Sequence, residues 1–427
     1  MQHAKFILLL FTISFFVSCG KTNQKNTRQI QSMGVVANKP YFILFSDVHL
    51  NSLRTDSDYG FDTGTKLFDA AMQSIYDLMV SSNPPQFVLF TGDLPAHLSI
   101  TSNICAHTKP INAGGLVQHE RNDSIVLNTF YSKFKSTGIP FLYLPGNNDG
   151  LNGDYYPFTG PGKKNPLGLL PNNSVSYPTL NLDMDTTKSS FIVNIDNIDQ
   201  GYYSVEIGGG LRIIALNSIM FCPDYQLADN LTKELNRKEQ MDWLSAQLKN
   251  ARTDNKKVII GMHIPPGIDA HSSSAMWDSS TQNWETVFLG IVQEYQQEIT
   301  NLFYSHTHMD EFRRLYDTLG TKVTEIAYSS PGISPVHCNN PGYKVVYYDA
   351  TNYVVEDMIT HYTIPDTNMW LDSTYSWKSE FNISATQTLQ TILQNSNLNN
   401  LLPPAEKIYT VFNNQGSDKI RKGIEVK

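Results

Sequence analysis

At 427 residues the chain can hold one large domain or two to three average ones, and its 41% hydrophobic and 11% aromatic content excludes global disorder and a small stapled scaffold. Charged residues make up 17%, against roughly 25% in an average soluble protein, so Asn, Ser, Thr, Gln and Tyr must coat much of the surface, a pattern more usual outside the cytosol. A formal net charge of −8 offers no electrostatic footprint for duplex nucleic acid, and no internal apolar run reaches the ~18 residues of a spanning helix.

The N-terminus reads as Lys5, an apolar run from Phe6 to Val17, then Ser18, Cys19 and Gly20. That run has the length of a signal-peptide core and is too short to span a bilayer. A small residue before Cys19 resembles the bacterial lipobox, although Phe16 stands where Leu is usual. The resemblance implies a lipidated Cys19 as the first mature residue and anchorage in a membrane, facing periplasm or cell surface. A plain secretory signal is the alternative. Of the remaining cysteines, Cys105, Cys222 and Cys338 allow at most one disulfide, in any of three pairings, and match no zinc-finger spacing.

Residues 19–39 are polar and aperiodic, as in a flexible tether. Tyr41 to Phe45 reads as a buried strand, and Thr65 to Val80 as a helix stopped by Pro84-Pro85. The pattern repeats with a strand at Phe87 to Phe90, a helix around Ser124 to Phe134 and a strand at Phe141 to Leu144. This alternation predicts βαβ units and a partly parallel sheet. Residues 150–200, rich in Gly, Pro, Asn and Tyr, read as a functional loop or insertion. Strands follow at Tyr202 to Ile207, Arg212 to Leu216, Lys257 to Met262 and Leu302 to Tyr304, with helices at Lys238 to Ala251 and Trp284 to Tyr295. Three further, antiparallel strands are expected at Thr324 to Tyr328, Lys344 to Tyr348 and Tyr353 to Met358. From about Thr363 the chain is Asn/Gln/Ser-rich with one helical stretch in 384–394. The organisation expected is a signal peptide at 1–18, a tether at 19–39, a catalytic domain at 40–360 and a C-terminal subdomain at 361–427.

Chemistry-bearing residues gather where these strands end: Asp47-Val48-His49, Gly92-Asp93, Gly146-Asn147-Asn148-Asp149, Met262-His263 and Ser305-His306-Thr307-His308. In open α/β sheets, ligands bind beyond the carboxyl ends of strands, so these loops can share one crevice. Mixed carboxylate and imidazole donors suit borderline divalent cations such as Zn, Mn or Fe. Asp47, His49, Asp93, Asn147, His263, His306 and His308 are too many donors for one zinc but fit two ions if a carboxylate bridges them. Paired ions are a recurrent device for phosphoryl chemistry.

In this order the motifs DVH, GD, GNND, H and HTH resemble those of the calcineurin-like metallophosphoesterases. TGDLPAH at 91–97, GMHIPPG at 261–267, HTHMDEF at 306–312 and SPVHCNNPGYKVVYYD at 334–349 are similar to signatures of its acid sphingomyelinase-like phosphodiesterase branch. The resemblance covers residues 40–360 and implies a four-layer α/β/β/α sandwich. It implies that Asp47, His49, Asp93 and His308 hold one metal and that Asp93, Asn147, His263 and His306 hold a second, with Asp93 bridging. A hydroxide between the ions would attack phosphorus in line. His97 would contact phosphate or protonate the leaving group.

The main departure is Asn148, where the sphingomyelinase-type pattern has His. Asn cannot act as a general acid, so His97 is expected to carry any acid catalysis alone, and Asn148 is retained as a substrate-binding candidate. GNND resembles endopolyphosphatase members and shifts expectation toward phosphoanhydrides, nucleotides or activated diesters. Ser305 replaces the usual Gly before HTH, which is expected only to alter backbone freedom. The expected function is hydrolysis of phosphodiester or phosphoanhydride bonds in extracytoplasmic phosphorylated small molecules, lipid head groups or polyphosphate. The alternative is a catalytically weak, metal-binding surface lipoprotein. Tyr155, Tyr156, Phe158 and Trp277 read equally as base-stacking surfaces or as packing. Oligomeric state is not encoded in any feature of the chain.

Overall fold

The computed structural model describes residues 39–98, 114–170, 179–181, 192–269, 273–384, 387–395 and 424–427. These lie in a single unit, Val36–Lys427. The expected signal peptide, Cys19, most of the tether and Cys105 lie outside the described residues. Cys222 is free and buried, and Cys338 is disulfide-bonded. No described helix is long and apolar enough to cross a membrane.

Strands β1 (Tyr41–Phe45), β2 (Val88–Phe90) and β3 (Phe141–Tyr143) are parallel neighbours separated by helices α1 (Thr65–Met79) and α2 (Gly115–Phe134). Later come β4 (Ile192–Asn194), β5 (Tyr203–Ile207), β6 (Leu211–Ala215), α3 (Asn230–Thr253), β7 (Lys257–Gly261), α4 (Trp284–Glu294) and β8 (Ile299–Tyr304). The chain continues through β9 (Phe312–Tyr316), β10 (Val323–Ser329), β11 (Gly342–Tyr348), β12 (Val355–Tyr362), β13 (Ser373–Ser376), α5 (Trp377–Glu380), α6 (Leu389–Asn395) and β14 (Ile424–Val426).

Two sheets result. The first runs β13-β12-β11-β1-β2-β3, and the second β14-β9-β10-β8-β7-β6-β5-β4. Alternation along each strand explains how they stack, because successive side chains point to opposite faces. Phe42 and Leu44 of β1 join Ile213 of β6 and Ile259 of β7 in one core cluster between the sheets. Their chain neighbours face outward. Phe45, Phe90 and Phe141 pack on Phe130 and Phe134 of α2, with Phe130–Phe141 ring centroids 4.9 Å apart. Val258 and Ile260 of β7 pack with Leu244 and Leu248 of α3 and Phe288 of α4. The order of layers is helices, sheet, sheet, helices, as expected.

Several elements differ from expectation for identifiable reasons. Helix α2 begins well before Ser124 because its first turns bury His119, Asn122 and Asp123, which hide the apolar periodicity. Helix α3 begins at Asn230, where the Asp229 side chain accepts hydrogen bonds from Leu231 N and Thr232 N, an N-cap that precedes the periodic stretch. Strand β9 reads FRRLY, and its two arginines disguise it. The tail beyond residue 360 adds β13 and β14 to the edges of the two sheets.

Candidate metal centre

The parallel strands β1, β2 and β3 of the first sheet and β7 and β8 of the second each deliver donors at their C-terminal ends. Asp47 and His49 follow β1, Asp93 follows β2, Asn147 follows β3, His263 follows β7, and His306 and His308 follow β8. The turns that carry them are tight. Asp47, His49, Asp93, His306 and His308 all adopt positive φ, between 41° and 72°. Backbone held in this region costs free energy and persists where the surroundings enforce it, commonly at functional sites.

The glycines of the GD and GN motifs follow from the same crowding. A Cβ on Gly92 would sit 2.2 Å from Gly146 N, and one on Gly146 would sit 2.2 Å from Asp93 Oδ1. Only glycine lets the two loops touch.

Three groups have their ligand atoms within 4.8 Å of one another: Asp47, His49 and His308; Asp93, His263 and His306; and His49 with Asp62 and His97, of which the first two hold the expected donors. Asp93 joins them. Its Oδ2 lies 3.2 Å from His49 Nε2 and 3.2 Å from His263 Nε2. Asp47 Oδ1 lies 3.4 Å from His308 Nε2 and 3.9 Å from both His49 Nε2 and His263 Nε2. Asn147 Oδ1 is 3.0 Å from His263 Nε2. All seven expected donors are therefore brought to one place.

The residues fit divalent cations. Asp47 Oδ1 and His49 Nε2 are buried polar atoms with no hydrogen-bond partner, which is costly unless a cation takes their lone pairs. The other ring nitrogens are already engaged. His49 Nδ1 reaches Pro95 O at 3.1 Å, His263 Nδ1 reaches Thr91 O at 2.6 Å, and His308 Nδ1 reaches Ser334 O at 3.1 Å. An Nδ1–H that donates to a carbonyl leaves Nε2 as the ligating atom.

The charges at the cluster act strongly on one another. Burial alone would depress His49, but the negative charge of Asp93 close by outweighs it and raises the imidazole to about 9; beside the same carboxylate His263 also reaches about 9. Asp93 is held well below the carboxylate range because those two imidazoles outweigh its burial. Desolvation, then His263, pushes His306 down to about 3.

Around these donors are residues that sequence reasoning missed, Asp62 and Asp154, or left without a role, Asp149. Asp62, fully buried, accepts from His97 Nδ1 at 2.9 Å with Oδ1 and from His97 N at 3.1 Å with Oδ2. The His97 ring stacks on His49 with centroids 4.0 Å apart. Asp154 accepts from Asn147 Nδ2 at 2.7 Å, which fixes which end of that amide faces His263. Asp149 accepts from Gly146 N at 2.7 Å and Leu94 N at 2.7 Å and binds the two glycine loops together. Asp62 stands in DTG, far from any motif by sequence, so no local signal marked it.

Two expectations need amendment. Ser305 does more than alter backbone freedom: its hydroxyl reaches Thr91 O at 3.0 Å and His263 Nδ1 at 2.9 Å. Asn148 is fully buried, donating from Nδ2 to Asp93 Oδ2 at 3.0 Å and from its backbone N to Asp93 Oδ1 at 2.8 Å, so its amide serves the carboxylate that lies between the two donor groups. Of the aromatic candidates, Trp277 and Phe158 are core, with Trp277 stacked on Phe221 at 4.8 Å. Tyr155 lies beside His306 and Tyr156 is exposed.

A two-sheet sandwich that collects imidazole and carboxylate donors at facing strand ends is a scaffold for divalent metals. The chain belongs to the calcineurin-like phosphoesterase family, which it matches over residues 40–310. It is 27% identical over 319 residues to sphingomyelin phosphodiesterase B of Dictyostelium discoideum, covering 71% of this chain and 43% of that protein. It is 29% identical over 199 residues to the human cyclic GMP-AMP phosphodiesterase SMPDL3A, covering 44% of this chain and 42% of that protein. These alignments thus span under half of either relative. Sphingomyelinase phosphodiesterase D of D. discoideum is 26% identical over 86% of this chain and 75% of its own length. A zebrafish (Danio rerio) dimetal phosphatase of known structure aligns at 12% identity and a TM-score of 0.47, covering 78% of this chain and 98% of that one.

Proposed function

We propose that this protein is a dinuclear metal-dependent phosphoesterase, cleaving phosphodiester or phosphoanhydride bonds of extracytoplasmic substrates. The observation that carries the reading is Asp93 Oδ2, 3.2 Å from a histidine of each donor group, which puts one carboxylate within reach of both. Asp47, His49, Asp93 and His308 would hold one ion and Asp93, Asn147, His263 and His306 the other. Zinc suits this donor set, with Mn or Fe as substitutes. Bound divalent ions supply Lewis acidity toward phosphoryl oxygens and an activated water. The chain's own contribution is to fix the Nε2 tautomers, exclude bulk water from Asp47 and Asp93, and hold His97 by Asp62 for leaving-group protonation or phosphate contact.

Substrate class follows from Asn148. With no histidine there, leaving groups that need little protonation, such as a phosphate of a nucleotide or polyphosphate, or an activated diester, are favoured over simple alkoxides. The relatives' names point to sphingomyelin and cyclic dinucleotides as the lipid and nucleotide arms of the test. The N-terminal Cys19 motif supports anchorage to a bacterial membrane outside the cytoplasm.

The deciding experiment is a panel of nucleotides, cyclic dinucleotides, polyphosphate, sphingomyelin and a nitrophenyl phosphodiester, with metal content measured on the same sample. Activity that vanishes on chelation and returns with Zn or Mn supports the proposal. Metal-loaded protein that turns over none of them refutes it and leaves a metal-binding surface lipoprotein.

A further inference from the structure

Residues 332–339 form one wall of the donor cluster and are stitched to it. Ser334 N donates to Asp47 O at 2.8 Å, Gly332 N donates to His308 O at 3.2 Å, and His308 Nδ1 donates to Ser334 O at 3.1 Å. The Asn339 amide closes the turn, donating to Gly332 O at 3.2 Å and Ser334 O at 2.9 Å. Cys338, with φ of 66°, is disulfide-bonded. A segment so pinned holds its side chains in place before any ligand arrives, which removes much of the ordering cost of binding.

His337 sits within this segment. Its ring centroid is 4.5 Å from that of His308 at an interplanar angle of 86°, and 6.4 Å from that of His97 at 89°. It is partly exposed where His308 is buried. It belongs to neither of the donor groups built on Asp47 and Asp93. An imidazole beside the cluster but outside its ligand set has the position of a group that meets what the metals hold.

We propose that His337 is a substrate-contacting residue, donating an imidazole N–H to a phosphoryl oxygen of the phosphoester or phosphoanhydride bound at the metal centre. This rests on the phosphoester reading above. Asn148, the position where a second imidazole is expected in the sphingomyelinase-type pattern, is committed to Asp93. His337 presents an imidazole beside His308 from a different chain segment, as a phosphate contact and not as a proton donor to the leaving group. A hydrogen bond to a charged phosphate oxygen is among the strong ones and adds orientation as well as affinity.

The test uses the full chain reconstituted with zinc, as wild type and as His337→Phe, which keeps a ring against His308 and loses the N–H donor. Metal content, thermal midpoint and orthophosphate affinity by calorimetry are measured on both. The expected result is unchanged metal content and roughly tenfold weaker orthophosphate binding in the variant. His337→Gln, which keeps an N–H donor, recovers part of that loss; should His337→Phe fail to fold, His337→Ala is read in its place. Equal orthophosphate affinity in variant and wild type overturns the proposal. So does metal loss in the variant, or a metal-loaded wild type that binds no orthophosphate. A wild type that binds orthophosphate through His337 yet hydrolyses no substrate would sink the hydrolytic reading and leave this contact standing.

Discussion

The side-chain amide of Asn148 donates to Asp93 Oδ2 at 3.0 Å, the same oxygen that lies 3.2 Å from His49 Nε2 and from His263 Nε2. A residue expected at the substrate is instead a brace on the carboxylate shared by both donor groups. Residues that orient ligands typically change metal affinity 10- to 100-fold when removed. Asn148→Ala should therefore weaken zinc binding by about that factor, read by competition with a chromogenic chelator. Unchanged affinity would show the brace to be incidental.

Asp62 and His97 form a second testable unit. Loss of the Asp62 carboxylate frees the ring that it orients through Nδ1. If His97 protonates the leaving group, Asp62→Asn should lower kcat for an alkyl phosphodiester by roughly 100-fold and for a nitrophenyl diester much less, since nitrophenolate leaves without a proton. Metal content should not change. Equal losses on both esters would argue for a structural role, and a His97→Ala variant that hydrolyses both esters normally would remove His97 from the acid step altogether.

Ser305 supports His263 from beneath, through Thr91 O and His263 Nδ1. Deleting one neutral hydrogen bond costs about 1 kcal/mol. Ser305→Ala should thus weaken one of two metal-binding steps by roughly fivefold, visible as a separation of the steps in a zinc titration. Identical titration curves would restrict Ser305 to backbone geometry.

Outside the donor cluster, Glu325 of β10 is buried and accepts from Gln390 Nε2 of α6 at 2.8 Å. Burial raises its carboxyl to about 8 from an ordinary 4.5. Because the folded value exceeds the unfolded one, its contribution to stability is full below pH 4.5 and is lost as pH rises through 8. The melting temperature should fall between pH 5 and pH 9, and Glu325→Gln should flatten that slope. A slope identical in the variant would assign it to other groups.

Much of the site was legible because its donors are local in sequence. Each sits within a few residues of the end of an apolar strand, so DVH, GD, GNND, MH and HTH could be read as loops converging on one edge. The supporting shell was not legible in the same way. Asp62 reaches His97 across 35 residues and Ser305 reaches Thr91 across 214, and such pairs leave no local pattern. Strand β9 was missed for a related reason. Its Arg313 is fully buried, with NH1 donating to Pro266 O at 2.9 Å and Ile268 O at 2.8 Å, so a charge that reads as surface holds the loop after His263 from within.

The amino-acid sequence by itself determined the layered α/β scaffold and which seven side chains gather at the strand ends, because strand period, helix period and strand-end loops are properties of neighbouring residues. The tertiary structure decided what those residues do to one another. It turned Asn148 onto Asp93, set Asp62 behind His97, placed Ser305 under His263 and brought His337 against His308. These relations depend on how two sheets stack and on which backbone segments meet at their shared edge, and only packing of the whole chain specifies that.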